Sequence, residues 1–241
     1  MLSRREFLAG GIALLAGCSM GPLPEHDPSA HESIDEIVQE STGYFARREY
    51  DDARYYLGKY GEQKSVSIGG KRRDVMEFDN PTIEFLYAMA HVPGDMLANA
   101  LNGKYWMASH HLEEVLGKLR RVPLALEGMQ DQLKPFFAIP EYSDYKQMCK
   151  KRMTGKPAMF YVLLTLAEED YQEAAAGLQQ AAPHLLWNEK ESVRATLTTL
   201  HTSTAERAAF YASAKDKNVQ SLSGKHIVRA RAYAALADIV K

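Results

Sequence analysis

Apolar side chains recur every three or four residues over most of the chain from Glu32 onward, which is the spacing of helices that bury one face. Ser33 and Glu36 stand three residues apart ahead of the first such stretch, as in a capping box. The pattern predicts an all-α body over residues 32–241. Its helices are predicted to begin near Glu32, Tyr50, Pro81, Asp95, Tyr105, Tyr142, Ala158, Tyr171, Glu191 and His226.

Four stretches interrupt this helical pattern. Strand-like residues on either side of two glycines predict a small β-hairpin or a long loop near 64–78. Pro93 and Gly94 predict the end of one helix, and the run Ser221–Gly224 predicts a break near the end of the chain. Prolines and a glycine in 134–157 predict a sub-boundary of the body there.

The first residues follow a different pattern. A short basic start precedes an apolar run from Phe7 to Leu15, and small residues follow it, which is the layout of a signal peptide over residues 1–17. The run is shorter than the roughly 20 residues that span a bilayer. Residues 18–31 contain three prolines without an apolar face, so they are predicted to form a flexible tether ahead of the body.

Four residues at the end of the signal peptide carry a resemblance. Leu15, Ala16, Gly17 and Cys18 resemble the lipobox of bacterial lipoproteins, whose cysteine is acylated after cleavage in front of it. The resemblance implies that Cys18 carries lipid chains, palmitate among them, and holds the protein to a membrane on its periplasmic side. Ser19 then favours the outer membrane over the inner one. The alternative is an ordinary secretory signal that contains a chance cysteine.

The basic residues at the start of the chain lie in a sequence that resembles a known export motif. Arg4, Arg5, Phe7 and Leu8 lie in a sequence similar to the twin-arginine export motif S-R-R-x-F-L, although Ala9 stands where that motif often has lysine. The resemblance implies that the body folds before export. General secretion is the alternative, because paired arginines also occur in its signals.

Three stretches resemble the second helix of a tetratricopeptide repeat hairpin, in which an aromatic residue is followed by alanine and then leucine. The small alanine lets two helices approach closely. The three alanines are 55 and 66 residues apart, whereas the family repeats at 34, so a regular array is excluded. The body is therefore predicted to be either a degenerate tetratricopeptide-like solenoid of helical hairpins or an irregular helical bundle. The stretches are Tyr50, Ala53 and Leu57; Tyr105, Ala108 and Leu112; Tyr171, Ala174 and Leu178.

Charge and cysteine content narrow the classes of function. The 241 residues carry a formal net charge of −2, too balanced for a nucleic-acid footprint, so no nucleic-acid partner is predicted. With Cys18 acylated, Cys149 is left without a disulfide partner. Cys149 stands beside three cationic residues, which lower the pKa of a nearby thiol and make it reactive, but we favour the alternative of a half-buried structural cysteine.

No catalytic set of residues emerges from the sequence. His110 and Glu114 share a helix face, yet a third metal ligand is not identifiable, and we predict neither a metal nor a cofactor. One helix face does not bury both members of an adjacent aromatic pair, so some of them are predicted to line a groove for a partner peptide, with edge packing within the bundle as the alternative. The residues assigned to this groove are Tyr55, Tyr56, Tyr105 and Trp106.

The sequence therefore favours a membrane-anchored periplasmic lipoprotein that serves as an interaction or assembly module of the cell envelope, with lipid and an envelope protein as its partners. Two alternatives stay open. One is a periplasmic enzyme or small-ligand carrier that is exported folded by the twin-arginine route. The other is an accessory protein of the outer membrane that braces a larger complex.

Overall fold

A computed structural model describes residues 32–68, 71–102, 106–151 and 156–241, without the side chains of 68, 71, 94–102, 106, 156 and 157. The predicted signal peptide, lipobox, export motif and tether lie outside these residues. Residues Glu32–Lys241 form one compact unit, and the segment 134–157 lies within it.

The predicted all-α class with a small β-hairpin is confirmed. The described residues form eleven α-helices, a two-stranded sheet and one short 3-10 turn at Ala182–His184. None of these helices has the length and apolar character that a membrane span requires. The elements are α1 (Ile34–Ala46), α2 (Tyr50–Gly58), β1 (Glu62–Ile68), β2 (Lys71–Glu77), α3 (Pro81–Asn102), α4 (Trp106–Arg121), α5 (Ala125–Gln132), α6 (Lys134–Phe137), α7 (Glu141–Lys150), α8 (Lys156–Ala167), α9 (Tyr171–Ala181), α10 (Trp187–Ala212) and α11 (Lys217–Ile239).

Local signals fix the start of two helices. The capping box of α1 is present: the backbone N–H of Ser33 donates to the Glu36 carboxylate at 2.7 Å, and the Glu36 N–H donates back to the Ser33 hydroxyl at 3.3 Å. The Asn80 side chain accepts from the Thr82 N–H at 2.8 Å and from the Ile83 N–H at 3.2 Å, so α3 begins where the Asn-Pro pair predicts.

The strands β1 and β2 pair antiparallel in a simple register, from Glu62 opposite Glu77 to Ile68 opposite Lys71. The hairpin points away from the core along most of β1, whose residues are mainly exposed. Its base is anchored, because Val75, Met76 and Phe78 are buried.

Two helical hairpins close with the same turn. Arg48, between α1 and α2, and Glu169, between α8 and α9, both have positive φ angles, of 60° and 63°. The residue after each donates its N–H back to the preceding helix, Glu49 to Tyr44 at 2.9 Å and Asp170 to Thr165 at 2.8 Å. In both hairpins a fully buried alanine, Ala53 or Ala174, lies at the helix contact. The tetratricopeptide resemblance itself stays a prediction.

The predicted helix end at Pro93 and Gly94, with a new helix from Asp95, is wrong, because α3 continues to Asn102. Proline lacks an N–H, so the carbonyl four residues earlier, that of Met89, loses its helical partner. The Tyr145 hydroxyl of α7 donates to that carbonyl at 2.8 Å, and Arg54 of α2 donates to the Ala90 carbonyl at 3.0 Å. The Tyr145 side chain thus satisfies the carbonyl that Pro93 leaves without a helical donor, and Arg54 adds a bond to the next carbonyl of the helix.

The predicted break at Ser221–Gly224 is also wrong, since these residues lie within α11. The helix pairs with α10 along their length, and Ser223 is buried in the contact. The Ser221 hydroxyl bonds to the carbonyl of Asn218 in the preceding turn at 2.6 Å. Tertiary pairing therefore overrides the weak helix propensity of this run.

A buried arginine attaches the α10–α11 hairpin to the rest of the body. Arg229 of α11 pairs with Glu127 of α5 at 3.3 Å and also with Glu169 in the α8–α9 turn. Arg207 of α10 reaches the same Glu127 at 2.9 Å. The hairpin is thus fixed to two separate elements by ion pairs.

Candidate functional site

A groove lies between α4 and α10 on the surface of the body. Its volume is about 360 Å³, at the lower end of the range for small-ligand sites. Gly117 of α4 borders it without a side chain, and the space beyond its Cα is open except for one Arg121 nitrogen, which a Cβ would meet at 3.9 Å. The apolar residues that line the groove are buried, with 2% to 8% exposure: Leu112, Leu116, Met159, Leu185 and Val193.

Charged side chains of α4 border this groove in two groups of opposite sign. Glu113 and Glu114 come first along the helix, and Arg120 and Arg121 follow seven residues later. Because a helix rises about 1.5 Å per residue, the two groups are roughly 10 Å apart along the axis. The groove therefore has an acidic side and a basic side with apolar surface between them.

Two large apolar residues are exposed where α10 begins, next to residues that line the groove. Leu186 is 65% exposed and Trp187 is 77% exposed. The Leu186 N–H donates to the Glu189 carboxylate at 2.8 Å, which fixes the first turn of the helix and therefore the position of both residues. Tryptophan is among the residues that contribute most to binding energy in protein interfaces.

This site was not predicted from the sequence. The apolar periodicity predicted a helix start at Glu191, which left Leu185, Leu186 and Trp187 outside any element. Three consecutive large apolar residues beyond Pro183, with Glu189 in capping position, were the signal for an exposed apolar corner at a helix start.

The predicted aromatic groove is only partly within the described residues. Tyr55 is half exposed, and the ammonium of Lys59 lies 5.8 Å from its ring centre. Tyr56 is 8% exposed and donates its hydroxyl to Glu32 at 2.6 Å, so it belongs to the core beside Tyr44. Tyr105 and the side chain of Trp106, the other two residues assigned to this groove, lie outside the described part.

A buried charged cluster joins α3 to α4. Glu84 has no solvent exposure, and its carboxylate accepts from the Lys118 ammonium at 2.8 Å and from the Phe78 N–H at 3.2 Å. It also accepts from Nδ1 of His111, which is equally buried. Removal of one partner of this buried pair would leave an uncompensated charge in the interior, which is strongly destabilising.

His91 extends this cluster along α3. Its ring stacks on that of His111 at 6.0 Å and contacts Tyr87 at 4.8 Å. The Nε2 atoms of both histidines have no hydrogen-bond partner among the described residues. Burial, together with the nearby charges of Arg54 and His111, holds the pKa of His91 well below its usual value.

The described residues contain no group of three or more histidine, cysteine or acidic side chains arranged to hold a metal ion. His110 and Glu114 lie on α4, and burial lowers the pKa of His110. Cys149 is 3% exposed, and burial raises the pKa of its thiol to about 12. The thiol is therefore protonated near neutral pH, which agrees with the structural alternative for this cysteine.

No family model matches the chain, and neither a curated protein nor a solved structure matches it. The groove between α4 and α10, with the exposed Leu186 and Trp187 beside it, is the candidate functional site.

Proposed function

We propose that the chain is a lipid-anchored periplasmic protein of the bacterial envelope whose helical body binds a partner protein. The exposure of Trp187 beside the α4–α10 groove is the observation that carries the binding part of this proposal. A solvent-exposed tryptophan next to a groove with an apolar lining provides the kind of anchor that protein interfaces use.

The resemblance of residues 15–18 to a lipobox supports the anchoring part of the proposal. Acyl chains on Cys18 would contribute roughly 0.8 kcal/mol for each buried methylene, and several chains together make attachment stable. Residues 18–31, when extended at about 3.5 Å each, reach roughly 50 Å. The tether would therefore let the body meet a partner well away from the membrane surface, with the outer membrane as the favoured location.

The export route follows from the same segment. Arg4 and Arg5 support twin-arginine export, by which the body would cross the inner membrane already folded. A chain in which both arginines are replaced by lysine should stay in the cytoplasm and retain its signal peptide. Processing and export of that variant at the unchanged rate would favour general secretion.

The anchoring proposal is tested by fractionation of host cells that have been fed an alkyne analogue of palmitate. The unchanged chain should be labelled and recovered with the membranes, and Cys18→Ser should be unlabelled and recovered in the soluble fraction. An unlabelled wild-type chain, or membrane attachment of Cys18→Ser, would contradict the lipid anchor.

The binding proposal is tested in the same cells by chemical cross-linking and affinity purification of the chain. A reproducible envelope protein should be recovered with the wild-type chain, and its recovery should fall in the Trp187→Ser variant. A matched variant, Phe210→Ser, removes an aromatic residue that is 69% exposed on the distal part of α10 and should leave recovery unchanged. Equal recovery with all three chains would contradict a role for this surface.

A further inference from the structure

The charge pattern of the α4–α10 groove points to the chemistry of the segment that it binds. This inference rests on the proposed function and concerns the same surface. We propose that the groove takes an extended peptide segment in which an apolar centre is flanked by one basic and one acidic side chain about three residues apart.

The size of the groove favours an extended segment. A volume of about 360 Å³ has room for a few side chains but not for a whole helix, which is about 10 Å across. Leu112, Leu116 and Val193 line it with apolar surface, which suits an aliphatic side chain.

The charged residues that border the groove determine which charged side chains the bound segment should carry. Glu114 attracts a basic side chain, and Arg120 and Arg121, whose guanidinium groups bind carboxylates in bidentate fashion, attract an acidic one. The separation of roughly 10 Å between the two groups equals about three residues of extended chain at 3.3 Å each. A segment with charges at positions one and four therefore matches both groups at once.

Gly117 gives a way to close the groove without harming the fold. A side chain at this position would begin in open space, and any residue with a good helix propensity should stabilise α4 relative to glycine. Gly117→Leu is therefore expected to fill the groove, and Gly128→Leu is the matched control. Gly128 is exposed in α5, has nothing within 4 Å of its Cβ position and does not line the groove.

The test measures fluorescence anisotropy of three labelled peptides with the full chain carrying Cys18→Ser. The peptides are Lys-Leu-Leu-Glu, Lys-Leu-Leu-Lys and Glu-Leu-Leu-Glu. The mixed-charge peptide should bind about tenfold more tightly than either of the others at low salt, since each of them replaces an attractive pair by a repulsive one. Gly117→Leu should abolish this binding, and Gly128→Leu should retain it.

Charge reversal in the protein tests whether the arginines of the groove cause this preference. With Arg120→Glu and Arg121→Glu together, both sides of the groove become acidic, so the preference should move to Lys-Leu-Leu-Lys. No detectable binding of any peptide, equal binding of all three, or a preference that survives both the charge reversal and Gly117→Leu would overturn the inference. Circular dichroism of each variant checks that it is folded.

The outcomes separate this inference from the proposed function. If a partner is captured through Trp187 but the peptides show no charge preference, only the peptide chemistry fails. If the peptides bind as expected but no partner is captured and Cys18 carries no lipid, the groove is a peptide site on a protein with another role.

Discussion

The Tyr145 hydroxyl occupies a hydrogen-bonding position that the backbone of α3 leaves empty at Pro93. The Met89 carbonyl would normally accept from the N–H of residue 93, which proline lacks, and it accepts from Tyr145 at 2.8 Å instead. Replacing Tyr145 by phenylalanine keeps the ring and leaves this buried carbonyl without a partner. We expect the free energy of unfolding to fall by about 2 kcal/mol, the usual cost of an unpaired buried group.

A second substitution tests whether the missing N–H of Pro93 is the reason that Tyr145→Phe lowers stability. Pro93→Ala restores a backbone N–H, which should satisfy the Met89 carbonyl within the helix. In that background Tyr145→Phe should cost only about 0.5–1 kcal/mol, the ordinary worth of one hydrogen bond. The two substitutions should therefore be coupled by about 1–1.5 kcal/mol, more than distant, independent sites show.

Urea unfolding of the four chains, followed by circular dichroism, measures this coupling. With a denaturant slope of about 2 kcal/mol/M, Tyr145→Phe alone should lower the midpoint by roughly 1 M. Tyr55→Phe, at a half-exposed tyrosine, is the control and should leave the midpoint unchanged. Equal losses from Tyr145→Phe with and without Pro93 would refute the explanation of how α3 continues past the proline.

Three further predictions concern buried groups. Because the folded-state pKa of His91 lies below the value of 6.5 that it has when exposed, the unfolded chain takes up its proton first and stability falls as pH drops below about 6.5. In pH-dependent urea unfolding, His91→Gln should reduce this loss between pH 7 and 5, whereas His184→Gln, at an exposed histidine, should not. A Cβ at Gly177 would lie 2.9 Å from a tyrosine ring of the facing helix. Gly177→Ala should therefore lower the free energy of unfolding by about 1–3 kcal/mol. Gly128→Ala, the control in the same assay, should raise it by about 0.5–1 kcal/mol. In native Cys18→Ser protein, Cys149 should resist iodoacetamide at pH 8 and react after unfolding in urea; rapid native labelling would show that the thiol is accessible.

Local chemistry explains which parts of the fold could be predicted from the sequence. The capping box of Ser33 and Glu36 and the Asn80 cap act over three residues, so their patterns alone place the starts of α1 and α3. The strand-like runs on either side of two glycines predicted a β-hairpin or a long loop near 64–78, and the antiparallel pairing of β1 and β2 shows the hairpin.

Contacts between distant residues explain the errors. The helix continues through Pro93 because Tyr145, 52 positions away, supplies a donor, and Ser221–Gly224 stay helical because α10 pairs with them. No window of sequence contains both partners of either contact. The same holds for the groove, whose two walls come from α4 and α10. Its charged residues border a common groove only when these two helices lie side by side.

Photo-cross-linking from position 187 in living cells tests the central claim most directly. A chain with benzoylphenylalanine in place of Trp187 should form one major adduct with an envelope protein after irradiation. The adduct should be lost in the presence of Gly117→Leu and retained with Gly128→Leu, and the same probe at Phe210 should not form it. The absence of an adduct at position 187, or an adduct that forms equally from both positions and ignores Gly117→Leu, would contradict the account of this chain as an interaction module.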